Sequence, residues 1–106
     1  MRLLDVLSQE MSVAGDFVIA ELGGLASTDA RARELRTTLL EFLVANRSYQ
    51  AVARSSHLHK NTVVKRVARA EQLLGAPIAD RQLEIHTALQ LADIFGDRML
   101  DPTVGR

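Results

Sequence analysis

Six basic residues lie close together in the middle of this sequence, and they are Arg47, Arg54, Lys60, Lys65, Arg66 and Arg69. No acidic residue occurs between Glu41 and Glu71, although the whole chain, with 13 basic and 13 acidic residues, has a formal net charge of zero. The positive charge is therefore segregated into one segment. Because such a cluster attracts polyanions, the pattern favours a nucleic-acid partner over an ordinary solvated surface.

The element that positions these residues is a predicted helix-turn-helix from Ser48 to Gly75. A short helix from Tyr49 to Ser55 is followed by a turn and by a second, recognition helix from about Lys60 to Leu74. Apolar residues recur at helical spacing on one face of the second helix, at Val63, Val67, Ala70 and Leu74. Its opposite face is polar in the N-terminal half, so that half can enter a major groove of DNA.

The candidate DNA-binding residues are Ser48, Tyr49, His59, Lys60, Asn61, Thr62, Lys65, Arg66 and Arg69. We expect Lys60, Asn61 and Lys65 to face base edges, because cationic and amide side chains recognise bases in the major groove. The hydroxyl and guanidinium groups of Ser48, Tyr49, Thr62, Arg66 and Arg69 are expected to contact phosphates. His59 lies where the second helix begins and where its first unpaired N–H groups point outward.

The rest of the chain predicts further helices, so we expect an all-α helical bundle. Only 4% of the residues are aromatic, and an aliphatic core suits helices that meet at close range. Residues 1–28 form a predicted N-terminal helical arm of one or two short helices, divided at Gly15 and Asp16 and ended by Gly23. The next helix is expected to run from residues 27–29 to Ala45. Its buried stripe is Leu35, Leu39, Phe42 and Leu43, and its solvent side is Arg31, Arg33, Glu34, Arg36 and Glu41.

Residues 29–96 make up the predicted helix-turn-helix domain, which ends in a supporting helix. Gly75 terminates the recognition helix, Pro77 prevents its resumption, and Asp80 is expected to cap the last helix. That helix has a broad apolar face formed by Leu83, Ile85, Ala88, Leu89, Leu91, Ala92 and Phe95. Residues 97–106 are expected to form a flexible tail, because they have little to bury.

Several classes of function lack the residues that they need. The chain has no cysteine, no glycine-rich phosphate loop, no nucleophile motif and no paired carboxylates, so an enzyme is not expected. His57 and His59 form an H-x-H pair without a nearby carboxylate, which makes a metal site improbable. His86 is expected to be a packing or surface histidine. We therefore predict no cofactor and no metal ion.

The chain resembles the PucR-type regulators, which include purine-catabolism and sugar-diacid regulators, over about residues 35–91. The resemblance rests on TLLEFLVAN (38–46), HLHKNTVVKRV (57–67), EQLLG (71–75) and LEIHTALQL (83–91). It implies a DNA-binding helix-turn-helix of a transcriptional regulator. Where the family's recognition helix has H-R-N-T-V-R-Y-R-L, Lys60, Val64 and Lys65 replace Arg, Arg and Tyr, and Ser56 replaces a larger apolar residue. These departures bear on which DNA sequence is recognised.

Double-stranded DNA and a second copy of the chain are the expected partners. A single recognition helix contacts few base pairs, so such modules usually work as dimers. The homodimer interface is expected on the arm or on the outer side of the helix from Arg81 to Phe95, although the arm can instead be a bundle helix that covers the core. In the resembled family an effector-sensing domain precedes this module, and we expect that domain to be absent from this chain.

An alternative function is a protein-interaction helical bundle that docks a partner protein. It would require an exposed apolar patch on the helix-turn-helix instead of a basic one. No apolar stretch is long enough to span a membrane, and we expect a cytoplasmic, nucleoid-associated location.

Overall fold

The computed structural model describes residues 2–101, which form six α-helices and contain no β-strand. The helices are α1 (Leu3–Leu22), α2 (Ala30–Val44), α3 (Tyr49–Ser56), α4 (Lys60–Leu74), α5 (Gln82–Phe95) and α6 (Asp97–Leu100). Short 3₁₀ helices at Gly23–Ala26 and Ile78–Arg81 lie in two of the connections. The predicted all-α fold is confirmed.

One apolar core is shared by the helices, and α2 is central to it. The predicted stripe of Leu35, Leu39, Phe42 and Leu43 is buried, as are Val63 and Val67 of α4 and Ile85 and Leu89 of α5. α2 packs against both α4 and α5, and α1 packs against α5 and α6. Because each fully buried aliphatic side chain contributes about 1.5–3 kcal/mol, this shared core holds the helix-turn-helix on its supporting helices.

α2 begins where the sequence predicts, at a capping carboxylate. The side chain of Asp29 accepts a hydrogen bond of 2.7 Å from the backbone N–H of Ala32 and another of 2.7 Å from the hydroxyl of Ser27. The backbone bond, followed by the hydroxyl bond, holds the pKa of Asp29 below its ordinary value. The carboxylate thus satisfies an N–H group that the helix itself leaves unpaired.

The predicted break in the arm is wrong, because α1 runs without interruption through Gly15. Gly15 is buried, and a Cβ atom added to it would lie 3.4 Å from the carbonyl oxygen of Met99. A glycine inside a helix costs only about 1 kcal/mol relative to alanine, and burial of Val18 and Leu22 on the same helix outweighs that cost. The backbone of α6 thus lies next to Gly15 of α1.

The prediction of a flexible tail is wrong for the first of its residues. Asp97–Leu100 forms α6, and Met99 and Leu100 are buried with exposures of 1% and 6%. α6 packs against α1 and α5. The apolar pair is therefore part of the core that α1 and α5 share with α6. Residues 102–106 lie outside the described part of the chain.

The prediction that Arg36 lies on the solvent side of α2 is wrong, because Arg36 is buried. Its Nη1 atom donates hydrogen bonds to the carbonyl oxygens of Leu25 and Ser27, at 2.7 and 2.6 Å. Burial lowers the pKa of Arg36 below its usual value. The connection from α1 to α2 lies against α2 and brings two carbonyl groups that need hydrogen-bond donors. The helical spacing of α2 could not reveal these two partners of Arg36.

The start and the outer edge of α5 also differ from the prediction. Asp80 lies in a 3₁₀ helix and does not cap α5, whose first residue follows Arg81 without a side-chain cap. Leu83 and Phe95 are exposed by 76% and 42%, so the buried face of α5 is narrower than its apolar residues indicate. The neighbouring helices cover only one side of α5.

Candidate nucleic-acid interface

α3 is held in place at both of its ends. The Ser48 hydroxyl oxygen accepts a hydrogen bond of 3.1 Å from the backbone N–H of Ala51, which caps the helix. At its C-terminal end, His57 has a left-handed backbone with φ of 56°, and the N–H of Leu58 donates to the carbonyl oxygen of Ala53 at 3.0 Å. This turn places the start of α4 beside α3, in the arrangement of a helix-turn-helix.

α4 has the predicted bounds, from Lys60 to Leu74. Gly75, with φ of 78°, ends it in the left-handed conformation. At the N-terminal end, His59 occupies the capping position without a side-chain hydrogen bond to the helix. The first N–H groups of α4 therefore have no side-chain cap and are suited to an anion such as a phosphate.

The two faces of α4 are distinct. Val63, Val67 and Ala70 are buried in the core, as the spacing predicts. The opposite side is exposed and carries Lys60, Asn61, Lys65, Ala68 and Arg69. The structure thus brings together the three side chains that the sequence assigns to base edges, on a face that no other helix covers.

The residues assigned to phosphates lie at the starts of α3 and α4 and along α4, and they differ in the contacts that their side chains make within the fold. Tyr49 packs its ring against Phe42, with ring centroids 4.7 Å apart, and Ser48 is engaged in capping α3. Thr62 is half-buried in the first turn of α4. The Nη1 atom of Arg69 donates to the side-chain oxygen of Gln72 at 3.1 Å, and Arg69 remains exposed.

Arg66 does not join the other candidates, because it turns toward α2. Its Nη2 atom lies 3.3 Å from a carboxylate oxygen of Glu34, and its Nη1 atom donates to the hydroxyl oxygen of Thr38 at 3.5 Å. Only 21% of its side chain is exposed. The periodicity of α4 places Arg66 at the flank of the apolar stripe but could not show that acidic and hydroxyl groups face it there.

The connection between α2 and α3 adds a feature that the sequence only partly revealed. Asn46 has the left-handed conformation, with φ of 54°, and Arg47 has it too, with φ of 64°. The N–H of Arg47 donates to the carbonyl oxygen of Phe42 at 2.8 Å and holds this turn against the end of α2. A left-handed arginine is uncommon, and here it aims an exposed basic side chain away from the core at the start of α3.

The exposed basic residues form an unopposed positive surface. Arg47, Arg54, Lys60, Lys65 and Arg69 are exposed, and none of them makes an ion pair with any residue from 2 to 101. We call these five residues the basic surface. Because no carboxylate neutralises them, their charge is available to an external polyanion.

The histidines lie in different surroundings. Across residues 2–101, no group of three or more His, Asp and Glu side chains is placed to hold a metal ion. His57 is exposed, and His86 is half-buried with an Nε2 atom that has no hydrogen-bond partner among the described residues. None of the helices in this part of the chain is long and apolar enough to cross a membrane.

Comparisons with known proteins identify relatives of this chain. The family model described as the PucR C-terminal helix-turn-helix domain matches residues 35–91, from the middle of α2 into α5. An uncharacterized protein in the pkwA 5' region of Thermomonospora curvata is 33% identical over 82 residues, which cover 77% of this chain and 46% of that protein. The transcriptional activator PmfR of Paenarthrobacter nicotinovorans is 32% identical over 76 residues, which cover 72% of this chain and 16% of that protein. No solved structure matches the chain.

The chain therefore spans less than half of the length of either relative. The matched region of the family model contains the whole of α3 and α4. It is the part of the molecule that carries the basic surface.

Proposed function

The chain belongs to the PucR C-terminal helix-turn-helix family, and from this membership we propose that it is the DNA-binding module of a transcriptional regulator and not an enzyme. In this proposal α4 enters the major groove of duplex DNA. The observation that carries the proposal is the basic surface, which includes three residues of the exposed face of α4 and has no acidic partner within residues 2–101. The similarity to a transcriptional activator supports it.

Each candidate residue other than Arg66 has a proposed role that follows from its place on the helices. Lys60, Asn61 and Lys65 point away from the core on the first two turns of α4, so we assign them to base edges. Ser48, Tyr49, His59, Thr62 and Arg69 lie at the starts of α3 and α4 or on the flank of α4, and we assign them to the phosphate backbone. A helix that lies in a major groove has base edges in front of it and the phosphate backbones of the two DNA strands on either side. This arrangement matches the division of the candidate residues into base contacts and phosphate contacts.

A salt titration of DNA affinity tests the proposal. Five exposed basic residues can neutralise about 3 to 5 phosphates per chain, so the logarithm of the association constant should fall with the logarithm of the salt concentration with a slope of about −3 to −4.5. Arg69→Gln, at an exposed residue that we assign to the phosphate backbone, should make the slope less steep by about 0.9, the effect of one lost phosphate contact. Arg98→Gln, which removes an exposed charge on α6, is the matched control and should leave the slope unchanged. Affinity that does not respond to salt would contradict the proposal.

We further propose that the module acts as a homodimer, joined through the N-terminal part of α1. Leu3, Leu4 and Leu7 are exposed by 81%, 75% and 58%, whereas Val18 and Leu22 of the same helix are buried. By helical spacing, Leu4 and Leu7 continue the face that Val18 and Leu22 bury, beyond the end of the core. α1 thus serves partly as a bundle helix and partly as an unpaired apolar arm, and deletion of the whole helix would remove part of the core.

The alternative function, a bundle that docks a protein through its helix-turn-helix, lacks the surface that it needs. Val64 is half-buried, and the exposed positions of α4 are polar or small. An apolar docking patch is therefore missing from this face of the described structure.

A further inference from the structure

α2 makes polar contacts with both helices of the helix-turn-helix. The hydroxyl of Ser56, the last residue of α3, donates a hydrogen bond of 2.5 Å to a carboxylate oxygen of Glu41. In α4, the guanidinium of Arg66 lies 3.3 Å from Glu34 and 3.5 Å from the hydroxyl oxygen of Thr38. We call these five residues the polar clamp.

The spacing of the clamp residues on α2 explains how one helix can contact two others. Glu34, Thr38 and Glu41 are separated by four and three residues, so their side chains lie along one face of α2. Glu41, toward the end of that face, meets α3, and Glu34 and Thr38, further back, meet the middle of α4. The groove between α2 and the two helices is lined by the same side chains.

Apolar packing alone would hold the rotation of α4 only loosely. The buried residues of α4 are Val63, Val67 and Ala70, and burial of such small side chains is favourable without depending on direction. Side-chain ends lie about 6 Å from the axis of a helix, so a rotation of about 10° would move them by about 1 Å. A shift of that size is enough to misalign a two-bond contact with a base, whereas hydrogen bonds to α2 restrict it because they depend on direction.

We propose that the polar clamp sets the rotation and tilt of α4 relative to α2 and so contributes to DNA sequence specificity. In this proposal, which rests on the proposed DNA-binding function, Arg66 is a positioning residue and not a phosphate ligand. Glu34 is shared between Arg66 and Arg31, whose Nη1 atom lies 2.5 Å from the same carboxylate oxygen, so Glu34 offsets part of the charge of Arg66. Ser56 and Glu41 act on the turn before α4 in the same way.

The test compares Arg66→Met with Glu34→Gln. A preferred duplex is first selected from a randomised library by the unaltered chain, and a scrambled duplex of equal length and composition serves as the non-specific probe. Each of the two variants should lower the ratio of preferred to scrambled affinity by about threefold to tenfold, since the contact is charge-assisted but partly solvated. The double variant should cost less than the sum of the two single variants, because both of them remove the contact between Arg66 and Glu34.

The salt dependence separates positioning from direct phosphate contact. If Arg66 positions α4, Arg66→Met leaves the log-log slope unchanged. If Arg66 binds a phosphate, Arg66→Met lowers the slope by about 0.9 and weakens both duplexes alike, and Glu34→Gln strengthens binding by releasing Arg66. That result would overturn the proposal. The proposal would also be wrong if Arg66→Met and Glu34→Gln both bound the preferred and the scrambled duplex with the affinities of the unaltered chain.

Ser56→Ala tests the second contact of the clamp, and Ser55→Ala is its control. Ser56→Ala should lower the affinity ratio, and Ser55→Ala, whose hydroxyl donates to the carbonyl oxygen of Val52 within α3, should not. Circular dichroism confirms that each variant is fully folded at the assay temperature, so a loss of stability alone cannot change the ratio. An equal effect of both serine variants would refute the role of Ser56. If the unaltered chain shows no salt-dependent DNA binding, the proposed function itself is wrong. If the unaltered chain binds DNA but the clamp variants keep its affinity ratio, only the role of the polar clamp is wrong.

Discussion

Arg36→Met removes the buried guanidinium that joins α2 to the connection before it. Arg36 is 7% exposed, and its two hydrogen bonds end on the carbonyl oxygens of Leu25 and Ser27. Methionine retains most of the apolar volume but has no donor. Leu25 is buried and Ser27 is exposed, so only the carbonyl group of Ser27 can readily bind water after the substitution.

The expected loss of stability follows from these two environments. A hydrogen bond from a charged donor contributes about 1.5–3 kcal/mol to stability. A buried carbonyl group left without a donor costs its full desolvation penalty. Rehydration at Ser27 and release of the guanidinium from a site where burial lowers its pKa offset part of this loss. We therefore expect Arg36→Met to lower the free energy of unfolding by about 2–3 kcal/mol, which corresponds to a decrease in Tm of about 8–15 °C for a domain of this size.

Thermal and urea unfolding followed by circular dichroism measure this effect. Arg33→Met is the matched control, because Arg33 lies on the same helix but is 60% exposed and pairs with Asp97 at 3.3 Å. The control should cost less than about 1 kcal/mol, as is usual for exposed ion pairs. If Arg36→Met destabilised the domain no more than Arg33→Met does, the inferred role of the buried hydrogen bonds would be incorrect.

Three further predictions concern DNA recognition, assembly and pH. Asn61→Ala should cost about 1–3 kcal/mol on the preferred duplex and flatten the preference at one base pair, whereas Arg69→Ala should weaken binding to all sequences alike, and identical profiles across a binding-site library would contradict these roles. Leu4→Ser combined with Leu7→Ser should change the molar mass measured by light scattering from two chains to one, and an unaltered chain that is monomeric at tens of micromolar, roughly where weak dimers form, would refute the dimer. Because the backbone hydrogen bond at the start of α2 lowers the pKa of Asp29, its carboxylate stabilises the fold fully above the unfolded pKa and loses that effect as pH falls through the lower folded value. Asp29→Asn, which keeps an acceptor but does not titrate, should therefore lose less stability than the unaltered chain between about pH 4 and pH 2, as urea unfolding would show, and an equal loss would count against this linkage.

Much of the helix-turn-helix could be predicted because its signals are local. The bounds of α4 follow from the apolar spacing of Val63 and Val67 and from Gly75, which stops the helix. Ser48 lies next to the helix that it caps. In these cases the residues that decide the structure are within a few positions of one another, so the sequence displays the interaction directly.

The candidate site was only partly predictable, since exposure depends on what lies opposite. Lys65 and Arg66 are adjacent in the sequence and both basic, yet Lys65 is exposed and Arg66 faces Glu34, 32 positions before it. Periodicity gives the direction of a side chain around its own helix. It does not give the chemistry of the helix that packs there.

The sequence by itself determined the helical class, the helix-turn-helix and the segregation of positive charge, because helix spacing, caps and the order of charges are properties of neighbouring residues. Only the tertiary structure decided that Arg36 is buried, that α1 passes through Gly15, and that Met99 and Leu100 of α6 are buried. Each of these outcomes depends on contacts with residues outside the helix concerned, which helical spacing does not show. The free energy of such a contact comes from burial and from pairing of polar groups, and neither exists until the helices have packed together.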